Sequence, residues 1–239
     1  MINLRNYIYA SLAILLFGAC TNEMPSPVLH EGRFSLSLDT DDIDVEIQTR
    51  AGLAGVNINN FYISLTDKEG TPLLQNRVYG EMTSGEYVLP SEAGYSIIVE
   101  SCSETNATTL NNGYGAYRFV GDAVFDIEAN KTTSVSVNCA MVNAGLQIIF
   151  DQSFTTKFPI HAVTTQDSRA IVFNSDNQEN IAYYDMNAET LDMKIKVTGS
   201  TGGWDGRLDV TKDITLQKGK VIVVKLTYTE SNGVRMLNV

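Results

Sequence analysis

Short runs of alternating apolar and polar residues recur along most of the chain, and each run is closed by turn-forming residues. Phe34, Leu36 and Leu38 alternate with polar positions, as in a strand that buries one face. Further runs of this kind lie at 45–47, 61–65, 87–89, 95–99, 124–127, 135–139, 146–150, 160–164, 171–173, 181–184, 191–197, 214–216 and 221–228. The pattern predicts an all-β protein.

Helical signals are weak by comparison. No amphipathic window of normal helix length occurs, and only residues 152–158 are predicted to form a single helical turn. Because short strands bury one face each, they need a second sheet to cover it. Similar numbers of runs fall on the two sides of residues 140–144, so we predict two β-sandwich domains. One elongated sandwich is the alternative.

The N-terminus has the pattern of an export signal. Arg5 is its only charge, an apolar run follows at 7–17, and Gly18-Ala19 precede Cys20. The run is too short for a membrane-spanning helix, which needs roughly 20 apolar residues. The arrangement resembles a bacterial lipobox, with Phe17 where leucine is usual. We therefore predict lipid attachment at Cys20, and ordinary cleavage beside an incidental cysteine is the alternative.

These boundaries predict a domain organisation. Residues 1–19 form the signal peptide, 20–31 a lipidated tether, 32–142 the N-terminal sandwich and 143–239 the C-terminal sandwich. The acyl chains would hold the protein on a membrane without a spanning segment. The expected location is the outer membrane, with the cell surface and the periplasmic face both left open.

The net charge argues against some classes of partner, and the positions of the cysteines argue against a disulfide. With 28 acidic against 17 basic residues, the net charge is −11, which disfavours binding to nucleic acid or to anionic lipid surfaces. Strand parity places Cys139 on an apolar face and Cys102 on the opposite face of its own strand. We therefore favour two free thiols over a disulfide.

No catalytic, metal or cofactor site is predicted. The only histidines are His30, in the tether, and His161, which we interpret as structural. The aspartates near residue 40 do not match an EF-hand loop that starts at Asp39, because Asp44 and Arg50 stand where glycine and glutamate are needed. We expect a protein that is not an enzyme.

One loop offers a candidate ligand platform. Trp204 lies among glycines at 199–206, and Asp205 follows it, so the indole could stack on a sugar while the carboxylate bonds a hydroxyl. Tyr114 and Tyr117 are the other aromatic candidates. The alternative is that Trp204 caps the end of a core and that the loops at 199–206 and 103–115 are plain connections.

Several short motifs carry a resemblance over nearly the whole mature chain. They are Cys20, 34–38, 49–51, 60–61, Tyr117, Gly121, Phe125 and 135–146, the last being the most specific. Their order resembles a family of uncharacterised Bacteroidota lipoproteins catalogued as a domain of unknown function. The resemblance implies two tandem transthyretin-like (Greek-key) β-sandwiches, similar to fimbrillins and fimbrial anchor proteins.

The leading functional hypothesis is a fimbria-like structural, anchor or adhesion protein that contacts other envelope or fimbrial proteins. Arg50-Ala51 is a candidate processing site, because cleavage after such an arginine opens the acceptor groove of similar fimbrillins. An ordinary exposed arginine, and a tail at 231–239 that is a simple terminus, are the plainer interpretations. The alternative function is a surface glycan-binding lipoprotein that serves an outer-membrane polysaccharide importer. A periplasmic scaffolding lipoprotein is a third possibility.

Overall fold

Strands dominate the protein, as the alternating pattern predicts. The computed structural model describes residues 30–40, 56–82, 87–202, 206–231 and 234–238. These residues form fifteen β-strands, two short α-helices and three turns of 3-10 helix, which confirms the all-β class. The signal peptide, nearly all of the tether and the predicted strand at 45–47 lie outside the described residues. Within the described part, no helix is long and apolar enough to cross a membrane.

The N-terminal half, residues 30–142, contains one seven-stranded sheet in the order β3-β2-β5-β6-β7-β1-β4. Its elements are β1 (Glu31–Thr40), β2 (Tyr62–Thr66), β3 (Pro72–Val78), β4 (Tyr87–Pro90), β5 (Tyr95–Glu100), α1 (Glu104–Thr109), β6 (Phe119–Phe125) and β7 (Thr132–Met141). The sheet folds over its own core, since the ring of Phe34 on β1 lies 5.4 Å from that of Phe125 on β6.

The C-terminal half, residues 143–238, contains two four-stranded sheets, β10-β9-β12-β13 and β11-β8-β14-β15. Its elements are β8 (Asn143–Phe150), α2 (Gln152–Lys157), β9 (Ile160–Thr165), β10 (Val172–Phe173), β11 (Ile181–Asp185), β12 (Thr190–Ser200), β13 (Arg207–Gln217), β14 (Val221–Ser231) and β15 (Val234–Asn238). A second hydrophobic cluster fills the space between the sheets, with Leu146, Ile148 and Ile195 fully buried.

The two halves repeat one strand order. The order β3-β2-β5-β6 in the N-terminal half corresponds to β10-β9-β12-β13 in the C-terminal half. In the same way, β7-β1-β4 corresponds to β14-β8-β11. In both halves the first strand pairs in parallel with the seventh and antiparallel with the fourth. β15 is an eighth strand, which pairs with β14 from Thr227–Asn238 to Ser231–Val234. The second half is therefore the same seven-strand unit with one strand added.

The halves differ in how their sixth and seventh strands meet, and in the N-terminal half a glycine permits the contact. β6 pairs with β7 through Phe119–Met141 and Val120–Ala140. A Cβ on Gly121 would lie 2.5 Å from the carbonyl oxygen of Asn138, so only glycine permits this approach. The equivalent strands β13 and β14 have no paired residues among the described positions, and β15 takes the edge of β14 instead.

Three elements differ from the prediction. Strand β3 was missed because its side chains are mostly exposed and do not alternate, and helix α1 was missed within the loop predicted at 103–115. The tail, interpreted as a simple terminus, contains β15. Each of these elements lacks the one-sided apolar pattern on which the prediction depends.

The parity argument for Cys102 is wrong. β5 ends at Glu100, so Cys102 lies in the bend after the strand and its thiol turns inward, where only 6% of the residue is exposed. Burial raises the pKa of this thiol. Cys139 is fully buried, and within the described part of the chain no disulfide joins Cys102 and Cys139.

His161 has structural contacts. It is buried, its Nδ1 lies 2.7 Å from the carbonyl oxygen of Phe158, and its ring centroid lies 4.4 Å from that of Phe150. These neighbours place it in the core of the C-terminal half.

We predict that Gly121→Val lowers the free energy of unfolding by about 1 to 3 kcal/mol, because the new side chain would force β6 away from β7. Urea denaturation followed by circular dichroism measures the change. Asp122→Val, at the exposed neighbouring position, is the matched control and should change stability little. Equal stabilities of the two variants would contradict the role assigned to Gly121.

Candidate functional site

The junction between the halves is short and built around a buried amide. β7 ends at Met141 and β8 begins at Asn143, which is 1% exposed. The Asn143 carboxamide accepts a hydrogen bond from the backbone N–H of Arg118 at 3.0 Å and donates one to the carbonyl of Ala116 at 2.8 Å. A buried amide without such partners would be costly. Asn143 therefore ties the start of the C-terminal half to the backbone before β6.

Arg169 makes a second connection, from the β9–β10 loop. Its guanidinium donates hydrogen bonds to the carbonyl oxygens of Gly113, in the N-terminal half, and Tyr183, in the C-terminal half. The guanidinium carbon also lies 4.7 Å from the ring centroid of Tyr184. Bonds from a charged donor are among the stronger hydrogen bonds in proteins. A single side chain thus bridges the two halves.

Tyrosines complete this contact. Tyr114 donates its hydroxyl proton to the carbonyl of Val172 at 2.6 Å, and its own carbonyl accepts from the N–H of Tyr183 at 2.7 Å. The Tyr114 ring meets Phe173 edge to face at 5.6 Å. Burial raises the pKa of Tyr184 to about 12, so this phenol is neutral at physiological pH. The junction is held by polar bonds to backbone and by aromatic packing together.

A cleft of about 530 Å³ opens beside these contacts, and we call it the junction cleft. One wall comes from α1 and the segment after it, and the other from the β9–β10 loop. Its lining residues are Thr108, Thr109, Asn112, Gly113, Tyr114, Arg169, Ala170, Ile171 and Val172. The cleft exists only because both halves contribute to it.

A smaller cleft of about 260 Å³ lies at the same junction and is more highly charged. Glu104, Arg118, Asp185 and Lys218 are among its lining residues. Burial, followed by the nearby Glu104 carboxylate, raises the pKa of Asp185. Among the described residues, no group of three histidine, cysteine or acidic side chains could hold a metal ion.

The residues predicted for lipidation, processing and the indole platform all fall outside the described part of the chain. These are Cys20, Arg50, Ala51, Trp204 and Asp205. The ends of the loop that carries Trp204 are described, and there β12 and β13 pair at Ser200–Arg207. The lipid site, the processing site and the indole platform remain predictions.

The two tyrosines named with Trp204 have different surroundings. Tyr117 meets Phe119 and Tyr183 edge to face at 5.8 and 6.3 Å, which places it in the packing between the halves. Tyr114 lines the junction cleft.

Sequence reasoning missed Arg169 and Asn143. Arg169 lies in a loop with no periodic pattern, and its partners are 14 and 56 residues away along the chain. Asn143 had a faint signal, since it is a polar residue directly before a nearly unbroken apolar strand. Only the folded chain shows what these side chains contact.

We predict that Arg169→Met lowers the free energy of unfolding by about 2 to 4 kcal/mol, because two carbonyls lose a charged donor. The aliphatic stem is kept, so the loss reports mainly on the guanidinium. Lys196→Met is the control, because it removes an exposed ion pair in which Lys196 Nζ lies 3.1 Å from Asp209 Oδ2. It should lower the free energy of unfolding by less than about 1 kcal/mol. Urea unfolding measures both, and equal losses would contradict the bridging role.

Three solved structures show the similarity of the chain to other proteins. A fimbrial assembly protein from Parabacteroides distasonis ATCC 8503 is 13% identical, with 87% of this chain and 99% of that chain covered and a TM-score of 0.44. A candidate polysaccharide binding protein from Bacteroides thetaiotaomicron VPI-5482 is 11% identical, with coverages of 84% and 93% and a TM-score of 0.45. A candidate cell adhesion protein from Bacteroides eggerthii DSM 20697 is 13% identical, with coverages of 83% and 86% and a TM-score of 0.45.

The family comparison is more direct. No curated protein matches the chain. The model of a family described as "Domain of unknown function (DUF4493)" matches residues 30–233, which is most of the chain. This match confirms the predicted resemblance to an uncharacterised family, and the chain belongs to the DUF4493 family.

Proposed function

We propose that the protein is a lipid-anchored outer-membrane protein that acts as a fimbria-like structural, anchor or adhesion protein through contacts with other proteins. It works without catalysis and without a cofactor. The observation that carries the proposal is the position of β1, the first strand after the predicted lipidated tether.

β1 lies in the interior of its sheet. It pairs in parallel with β7 from Arg33–Thr132 to Thr40–Cys139, and antiparallel with β4 from Glu31–Pro90 to Phe34–Tyr87. A pull on the tether acts along the strand axis, so these ladder bonds are loaded in shear and must break together. Bonds at the end of a peeled hairpin would instead break one at a time. The attachment of β1 suits a protein held by its N-terminus.

The buried side chain of Phe34 also holds β1 in place. Its side chain is fully buried and its ring lies 5.4 Å from both Tyr87 and Phe125. Sliding β1 along its neighbours would draw this ring out of the core, and exposing a buried phenylalanine costs about 1.5 to 3 kcal/mol. Force on the tether is therefore opposed by packing as well as by hydrogen bonds.

The edges of the C-terminal half offer surfaces for protein partners. β13 and β15 end their sheets among the described residues. The edge of a sheet can pair with an extended segment of another chain through main-chain hydrogen bonds. Arg169 and Asn143 join this half to the anchored one, so a partner bound at these edges would be connected to the tether.

Processing after Arg50 would change this function. Among the described residues, the cut would leave β1 held by the ladders with β7 and β4, by the packing of Phe34, Leu36 and Leu38, and by the hydrogen bond from the Tyr79 hydroxyl to the Leu36 carbonyl. Departure of β1 would open a groove between β7 and β4. An intact chain is therefore an anchor or adhesin, and a cut chain is a polymerising subunit.

We also propose that the halves are tandem transthyretin-like Greek-key sandwiches, with the boundary between residues 142 and 143. Support comes from the repeated strand order and from two separate clusters of buried residues. Tyr183 and Val221 from the C-terminal half pack on the first cluster, so the two cores meet at the junction.

Intact-mass spectrometry and N-terminal peptide mapping of the protein extracted from its own cell envelope test this proposal. We predict a triacylated N-terminus at Cys20 and an uncut Arg50-Ala51 bond. Cys20→Ser is the control and should release the protein from the membrane fraction. A chain that begins at Ala51 would identify a polymerising subunit, and an unmodified Cys20 in the wild type would overturn the lipid anchor.

Contacts with other proteins need a separate measurement. A photo-crosslinking residue placed at Thr211, an exposed position on edge strand β13, should join the protein to another envelope protein in intact cells. The same group at Ser96, on interior strand β5, is the matched control. The absence of a crosslinked protein specific to Thr211 would count against a partner at this edge.

A further inference from the structure

We propose that the junction cleft binds an oligosaccharide, and that it binds acidic sugars more tightly than neutral ones. This site goes beyond the anchoring function and does not depend on it. The cleft lies between the two halves, which is where small-ligand sites often form. It is distinct from the indole platform predicted at Trp204.

The side chains of the cleft suit a polyhydroxylated ligand. Thr108, Thr109 and Asn112 supply two hydroxyls and an amide. The two threonine hydroxyls donate to the carbonyl of Thr105 at 3.2 and 2.8 Å, so their oxygens still have lone pairs that can accept from sugar hydroxyls. The exposed Asn112 amide can both donate and accept.

The cleft also has an apolar surface for the C–H face of a sugar ring. Tyr114 is half-buried, and its hydroxyl already donates to the Val172 carbonyl, which fixes the ring in place. Val172 is 43% exposed beside it, and Leu110, on the same segment as Asn112, is 42% exposed. An aromatic ring next to aliphatic side chains and hydrogen-bonding groups is a suitable surface for a pyranose.

The charge of the cleft differs from that of the whole chain. Its nine lining residues include Arg169 and no carboxylate, although the chain carries 28 acidic and 17 basic residues. Two nitrogens of Arg169 are already bonded to carbonyls, so this cation contributes a positive potential more than new hydrogen bonds. The nearby Asp167 does not line the cleft, and its Oδ1 is bonded to the Ala170 N–H and the Thr165 hydroxyl. Arg169 is thus the charged side chain that lines the cleft, and a uronic acid or a sulfated sugar would meet attraction here.

The wall of the cleft is preorganised. Ala170 has a φ of 47°, and a residue other than glycine keeps such a strained conformation only when its neighbours hold it. The Asp167 carboxylate holds it, because Oδ1 accepts from the Ala170 N–H at 3.1 Å and from the Thr165 hydroxyl at 2.8 Å. Asn112, on the opposite wall, has a φ of 57°. Little ordering is therefore needed when a ligand enters.

Binding is tested with the full mature protein in detergent and an immobilised panel of size-defined oligosaccharides. The panel contains acidic chains from polygalacturonate and hyaluronan, and neutral chains from mannan and xylan. Affinity for the strongest ligand is then measured by isothermal titration calorimetry at low and at physiological salt. We predict saturable binding, with acidic chains preferred and with weaker binding at higher salt.

Two variants test the place of binding. Thr109→Trp fills the cleft from an exposed position, and Asn112→Asp adds a negative charge to it. Each should weaken binding by about tenfold or more, which corresponds to about 1.4 kcal/mol. Val124→Trp, at a position on β6 that is 70% exposed and does not line the cleft, is the control and should bind like the wild type. Thermal unfolding of all four proteins shows that they are folded.

Three results would overturn the proposal. They are no saturable binding to any member of the panel, binding that Thr109→Trp leaves unchanged, and equal weakening by Val124→Trp. Stronger binding of neutral chains would overturn the assigned preference for acidic sugars. None of these results bears on the lipid at Cys20 or on the crosslink at Thr211, so failure of the cleft and failure of the anchoring function can be distinguished.

Discussion

Parallel pairing between the first and the seventh strand of each half is the constraint on which the rest of the architecture depends. Parallel neighbours run in the same direction, so β1 and β7 both begin at the tether end and both finish at the junction. The chain can then start β8 almost without a linker, and β8 and β14 repeat the arrangement. The order of strands, the single residue between β7 and β8 and the burial of Asn143 all follow from this pairing.

The short link has a chemical consequence. Because the halves meet directly, polar backbone at the end of one unit is covered by the other and needs partners. Asn143 and Arg169 provide them from side chains, and Tyr114 and Tyr183 provide them from the backbone. The same contacts create a concave surface that neither half would have alone. The attachment of the two halves and the junction cleft thus come from one set of interactions.

The sequence predicts those parts of the fold that depend on local patterns. Strands such as β2, β5 and β7 have one buried face, and their alternating residues show it directly. Strand β3 was not visible because its residues are mostly exposed and its pairing with β2 is irregular near Leu65. The junction cleft could not be predicted, because Tyr114 and Val172 come together only after both halves have folded.

If the protein is lipid-anchored as proposed, the direction of β14 determines how far it extends from the membrane. β7 has 10 residues and runs away from the tether, and the 11 residues of β14 continue away from the junction. At about 3.3 Å per residue, these two strands span up to about 70 Å. The end of β14 at Ser231 would then lie several Debye lengths beyond the charged lipid surface, since one Debye length is about 8 Å in physiological salt. A macromolecule that approaches this end of the chain would meet the protein first and would not experience the field of the bilayer.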